Sequence, residues 1–314
     1  MELVKVKKVV TDGPKKENEL WEKQAPKPEE ITTMLTDPKK SARIVDGEGN
    51  MIATILRGAM PKQDTVDYYT AIVGGKAIQQ TNNRATSAGV DLINVVKKDG
   101  TISNTTKMEE RVESSIIGYF DRYPRINYCR KTAWTLDNPD KWDTVASFVE
   151  LVDDRFKTSC PDEWAIQNNI TKKSSPDFKI GETIFTTITL NRNFRTFYHR
   201  DAGNLAEGFA AMSYMKTGKF TGGEICFPNY ACGVKLYNYD LIIFKNTELH
   251  GNLEITPASK DSKYQRITSV FFFRQNMLAC GTAEDELERA KRNKGDQIIG
   301  SPSEDLNLGR WGND

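Results

Sequence analysis

The sequence is poor in the residues that build most metal and disulfide frameworks: its 314 residues include two histidines and five cysteines. The cysteines, Cys129, Cys160, Cys226, Cys232 and Cys280, are odd in number and contain no Cys-x-x-Cys pair. That argues against a disulfide framework and a zinc cluster, and predicts reduced thiols. Long apolar runs are missing too. Stretches such as Val270 to Phe273 are far too short to cross a bilayer, so no membrane insertion is expected. The first residues, Met1-Glu2-Leu3-Val4-Lys5-Val6, contain no apolar segment before a small-residue cleavage site, and the expectation is a soluble, intracellular protein. Net charge is nearly absent at +1, so any nucleic acid must be held by a local basic surface rather than by bulk attraction. What is present, 38% hydrophobic and 28% charged residues, suffices for one sizeable core with extensions.

Along the chain the pattern changes twice. Residues 1–45 are rich in lysine and proline and predict a basic arm, followed by a main domain over 46–280. Between about 50 and 160 the signals read as helical support. Met108, Val112, Ile116 and Phe120 recur near period 3.6, as do Trp142, Val145, Phe148, Val149, Val152 and Phe156, with Pro139 suited to a first turn. From about 183 to 280 short β-type runs follow one another: Thr183–Leu190, Phe194–His199, Ala210–Met215, Glu224–Phe227, Val234–Tyr237, Leu241–Phe244 and Gln265–Phe273. Helices followed by a β-rich half make an α+β chain whose core is an antiparallel sandwich or barrel. The remainder, 281–314, reads as a charged helix near Ala283–Lys294 and a loose polar tail.

The scarcity of histidine concentrates the chemistry. One histidine stands in Tyr198-His199-Arg200-Asp201 and the other in Glu248-Leu249-His250-Gly251-Asn252. Two side chains two apart on an extended segment share a face, so His199 and Asp201 can converge on one ion while His250 arrives from a later strand. Two histidines and a carboxylate on one face form the facial triad that binds Fe(II) and leaves positions open. With 43 acids in the chain, a histidine has an acid two places on about one time in seven, so the pair alone is a weak signal. Arg266 strengthens it. A strand-start arginine with Thr268 two residues later offers a two-point fork and a hydroxyl to a carboxylate, with Arg274 as a competing candidate.

With these residues in place, the stretch from Asn191 to Arg274 resembles the TET/JBP family of Fe(II)- and 2-oxoglutarate-dependent oxygenases, most closely its J-binding-protein branch. The likeness is carried by Asn191-Arg192-Asn193-Phe194-Arg195-Thr196, by His199 through Leu205, by Thr221-Gly222-Gly223-Glu224-Ile225-Cys226-Phe227-Pro228, by His250-Gly251-Asn252 and by Arg266-Ile267-Thr268. Cys129-Arg130-Lys131-Thr132-Ala133-Trp134 extends it upstream to a similarity over about 125–280, which does not place the first hundred residues. The resemblance implies a double-stranded β-helix core buttressed by N-terminal helices. It implies His199, Asp201 and His250 as iron ligands, Arg266 with Thr268 as the 2-oxoglutarate anchor, and Fe(II), 2-oxoglutarate and O2 as the reaction's requirements. Arg195 is a weaker cofactor candidate, balanced against pairing with a neighbouring acid. Gly222-Gly223 reads as a bulge or tight turn. The family's usual Gly-Asp before the strand leading to the second histidine is Tyr239-Asp240 here, and a commoner serine is Thr268.

The implied reaction is hydroxylation of the methyl group of thymine in DNA to 5-hydroxymethyluracil, with the base flipped out of the stack. Tyr198, Phe209 and Tyr214 are aromatic candidates for its pocket, weighed against ordinary core roles. The alternatives are 5-methylcytosine in DNA, another substrate such as a free nucleotide, protein or small molecule, and a modified-base binding module without turnover. Neither oligomeric state nor sequence context is legible.

Overall fold

The computed structural model describes residues 1–73, 80–81, 84–108, 112–123 and 126–294. Among these residues a large sheet runs in the order β1 (Glu2–Lys5), β3 (Ala42–Val45), β4 (Met51–Leu56), β15 (Leu241–Lys245), β11 (Phe209–Thr217), β18 (Gln265–Phe272), β10 (Thr187–Arg192), β8 (Val112–Phe120) and β5 (Gln80–Thr81), with β9 (Arg130–Lys131) beside β8. A smaller sheet runs β16 (Gly251–Asn252), β13 (Ile225–Phe227), β14 (Cys232–Val234) and β2 (Thr33–Leu35). Two ribbons stand apart, β6 (Leu92–Val96) with β7 (Ile102–Met108), and β12 (Phe220–Thr221) with β17 (Thr256–Pro257).

The period-2 alternation of the central strands decides which layer each residue serves. On β11 and β15, Ala211, Leu241 and Ile243 face the helical side, while Ala210, Met212, Ile242 and Phe244 pack towards Ile225, Phe227 and Val234 of the small sheet. The helical side is closed by α2 (Lys62–Val73) and α5 (Trp142–Ser159), with Tyr68 stacked on Phe148 at 4.1 Å between ring centres. The shorter α4 (Ala133–Asp137) and α6 (Pro161–Thr171) precede and follow α5 in the chain. This is an α+β chain with a double-stranded β-helix core. α5 buries Val145, Phe148, Val149, Val152 and Phe156, the stripe its spacing predicts, and Pro139 opens the short turn leading into it. α7 spans Ala283–Lys294 as expected, and the predicted loose tail lies outside the described residues.

Four expectations are corrected. Residues 1–45 are not an arm. β1 pairs with β3, β2 pairs with β14, and α1 (Pro14–Trp21) supplies Glu17, a buried acid reached by Lys8 and Arg200. The stretch through Val112, Ile116 and Phe120 is strand β8 rather than helix. A spacing of four suits both periods, and pairing with β10 along its length decides it. Phe194–His199 forms no regular strand, because its amides bond elsewhere: Phe197 N to Ser87 O, Tyr198 N to Gln24 O and His199 N to His250 O. Finally, Cys129 and Cys280 are joined in a disulfide across 151 residues, a proximity set by tertiary packing that spacing cannot reveal, whereas Cys160, Cys226 and Cys232 are free and buried. No described helix is long and apolar enough to cross a membrane.

Candidate active site

Between the two sheets lies a cavity of about 110 Å³. Its floor follows from strand alternation. Arg266, Thr268, Val270 and Phe272, every second residue of β18, all line it, as do Thr189 and Asn191 of the neighbouring β10. His199, Asp201 and His250 sit at the cavity wall, and their candidate ligand atoms all lie within 4.8 Å of one another. Nε2 of His199 is 3.7 Å from one Asp201 carboxylate oxygen, and Nε2 of His250 is 3.7 Å from the other.

The backbone presets this cluster. His199 and His250 exchange main-chain hydrogen bonds, N to O at 3.0 Å and 3.1 Å. Each ring turns Nδ1 to a carbonyl two residues back, His199 to Phe197 at 2.7 Å and His250 to Glu248 at 3.0 Å. A carbonyl only accepts, so each Nδ1 donates and each Nε2 is turned towards Asp201. Burial, reinforced by His250, lowers the pKa of His199 and so favours the neutral imidazole, the form that binds a metal. Arg200, between the ligands in sequence, points away and donates to Glu17 at 2.5 Å and to the Thr247 carbonyl, tying the turn to α1 and to the loop before His250. The chain just after α1 also contributes, since the Lys23 amide donates to the Tyr198 carbonyl and the Tyr198 amide donates to the Gln24 carbonyl.

Arg266 is 3% exposed, and no carboxylate among the described residues lies within ion-pair distance of it. Its Nη2 donates to the Gly223 carbonyl at 2.7 Å, while Nε is buried without a partner. Burial lowers its pKa. A buried, incompletely paired guanidinium is costly alone and complementary to a small carboxylate entering the cavity. Gly222 and Gly223 hold φ values of 80° and 78°, and a Cβ on Gly223 would lie 2.7 Å from Arg266 Nε, so the pair forms a tight turn that lets this arginine pass. The donor set of two imidazoles and a carboxylate fits Fe(II), and the unfinished Arg266 fits a carboxylate cosubstrate.

Other candidates fall elsewhere. Arg195 is outside the cavity wall, with Nη1 3.4 Å from Glu254 and its guanidinium over Phe197. Arg274 reaches the cavity, but its Nε donates to Asp121 at 2.7 Å. Tyr198, Phe209 and Tyr214 belong to apolar clusters, and the aromatic cavity residues are Phe194, Phe244 and Phe272. The sequence reading missed Arg84. It lines the cavity from the start of α3 (Ala85–Ala88), donates to Ser114 and Thr189 hydroxyls, and interacts electrostatically with Asp201. No local signal marks it, because more than a hundred residues separate it from the ligands in sequence.

Residues 115–275 match the family Tet_JBP, described as the oxygenase domain of the 2OGFeDO superfamily. The thymine dioxygenase JBP1 of Leishmania braziliensis is 27% identical over 259 residues, covering 82% of this chain and 29% of that protein. The JBP1 of Crithidia fasciculata is 28% identical over 243 residues, 76% of this chain and 27% of its own length. The chain thus spans less than a third of these curated relatives. Among solved structures, NgTET1 in complex with 5mC DNA aligns with a TM-score of 0.55 at 13% identity over 83% of this chain and 89% of that one, a likeness of fold.

Proposed function

Because the chain belongs to the Tet_JBP family of 2OGFeDO oxygenase domains, we propose that it hydroxylates the methyl group of thymine in DNA to 5-hydroxymethyluracil. The observation that carries the chemistry is one cavity holding the His199, Asp201 and His250 cluster together with a buried arginine that has no acid partner among the described residues. The name thymine dioxygenase, borne by relatives aligned over most of this chain, favours the substrate.

In this reading His199, Asp201 and His250 hold Fe(II), which when bound supplies the open positions where 2-oxoglutarate and O2 react. Arg266 takes the distal carboxylate of 2-oxoglutarate through its fork, with Thr268 beside it on the same strand face. Met212, Ile225, Phe244 and Val270 give the otherwise largely polar cavity an apolar wall that limits water beside the reacting atoms. One O2 is consumed. One oxygen atom becomes the hydroxyl of the product, and the other enters succinate as 2-oxoglutarate loses CO2. A thymine in duplex DNA must leave the stack to reach this cavity.

Thymine and 5-methylcytosine present the same methyl group but opposite hydrogen-bonding groups at position 4. A mismatch strands a buried polar group at about 1–3 kcal/mol, a preference of roughly ten- to a hundredfold. The test is mass spectrometry of nucleosides after incubating matched oligonucleotides with the protein, iron and 2-oxoglutarate. Hydroxymethyluracil should dominate. Hydroxymethylcytosine as the main product would overturn the thymine assignment, and turnover of free nucleotides alone would overturn the polymer.

A further inference from the structure

Outside the cavity, an apolar surface is left exposed among the described residues. Among the described residues, β6 and β7 pair only with each other, in the register Leu92↔Met108, Ile93↔Lys107, Asn94↔Thr106 and Val96↔Ile102. Cross-strand partners share a face, so Leu92 lies beside Met108, and past Asn94, Thr106 and a register shift Val96 lies beside Ile102. These apolar pairs run from partly buried to bare. Met108 at the root is 1% exposed, while Leu92, Val96 and Ile102 are 52%, 65% and 69% exposed. A ribbon of two strands contributes little stability by itself, and branched apolar residues at its outer end serve no core.

The root of the ribbon is fastened to the catalytic cavity. The Met108 sulfur accepts from the Arg84 amide, Arg84 and Ser87 line the cavity, and the Ser87 carbonyl accepts from the Phe197 amide, two residues before His199. At the tip the charge is basic. Lys97 and Lys98 are exposed there, whereas Asp99 is folded back onto the Thr101 amide and hydroxyl. Lys107, opposite Ile93, adds a third exposed cation on the other face.

We propose that the β6–β7 ribbon is a DNA wedge. Its apolar face enters the stack beside the target and fills the gap that the base leaves as it turns into the cavity, while Lys97 and Lys98 take flanking phosphates. This rests on the reading that the substrate is thymine in DNA. Apolar side chains inserted at a base step unstack it, and lysines at the edge of such a wedge meet the backbone. A surface for an acidic protein would not need exposed branched aliphatic residues, and the link from the ribbon's root to the cavity lining favours nucleic acid.

The test uses two paired variants of the full chain, Val96→Ser with Ile102→Ser and Lys97→Ala with Lys98→Ala, all at exposed positions. Duplex binding is followed by anisotropy across a salt series, and unstacking by a fluorescent adenine analogue next to the target thymine. Hydroxylation is measured on duplex and single-stranded oligonucleotides. The serine pair should lower duplex hydroxylation roughly tenfold, because the inserted face is no longer apolar, and abolish the fluorescence rise. It should leave the salt slope unchanged and single-strand hydroxylation within about twofold, because an unstacked base needs no wedge. The alanine pair should reduce the slope of log affinity against log salt by about two, one for each phosphate contact. Parent-like duplex hydroxylation with an intact fluorescence rise in the serine pair overturns the proposal. So does a change confined to self-association or to vesicle binding. A parent that binds and unstacks duplex without hydroxylating thymine defeats the substrate reading and leaves the wedge standing.

Discussion

Replacing Arg266 with lysine isolates the geometry of the proposed carboxylate anchor, because charge is kept and the planar fork is lost. In the structure Nη2 is held by the Gly223 carbonyl at 2.7 Å and Nε is unpaired, so the guanidinium is oriented with donors to spare. An ammonium at this position reaches a carboxylate with one bond where the fork makes two. A charge-assisted hydrogen bond contributes about 1.5–3 kcal/mol, so the KM for 2-oxoglutarate should rise roughly 10- to 150-fold. Succinate formation is titrated against 2-oxoglutarate at saturating iron, with thermal melting as the control for folding. Because the anchor grips ground state and transition state alike, kcat at saturation should change much less than KM. An unchanged KM in a folded variant would refute the reasoning. A larger rise from Arg274→Lys would transfer the role to that residue, against the observation that its Nε is already engaged by Asp121.

Three further outcomes follow. His199→Ala or Asp201→Ala should abolish succinate release while melting stays close to the parent's, since the His199–His250 bridge is main chain and survives truncation; full activity in either variant would sink the ligand assignment. Gly223→Ala should raise the KM for 2-oxoglutarate at least tenfold, because a Cβ there collides with Arg266 and strains a left-handed backbone; an unchanged KM would show that this turn does not set the arginine's position. Glu17→Gln should lower the melting temperature at neutral pH and matter less in acid. Burial alone would raise the Glu17 carboxyl's pKa, but Lys8 and Arg200 hold it below its usual 4.5. Its contribution is therefore present above that value and is lost as pH falls through the lowered one. A variant effect that stays constant from pH 7 to about pH 3 would contradict this linkage.

The site was more legible than the scaffold around it. Two histidines in the whole chain left little choice of ligands, and Arg266 with Thr268 announced itself by a strand pattern that the structure retains. Tyr239 shows why a departure from the family pattern can be tolerated. It adopts φ 73°, where glycine is most at ease, while Asp240 keeps its partners in Arg57, the Gly58 amide and the Tyr237 amide. Other features were illegible for physical reasons. Residues four apart in β8 satisfy a helix and a strand equally, and the lysine- and proline-rich start hides short strands whose stability comes from distant partners. Arg84 and the Cys129–Cys280 pair meet their neighbours only through tertiary folding.

The placement of β1 to β4 separates the segment that carries the family's oxygenase pattern from what can fold. The family match begins at residue 115, yet β4 covers the edge of β15, and β2 covers that of β14. A chain cut back to the matched segment would carry all three candidate iron ligands and still present two bare strand edges, the usual template for aggregation. The shared chemistry of such an oxygenase is therefore portable in evolution only together with chain outside the matched segment that seals the sheets.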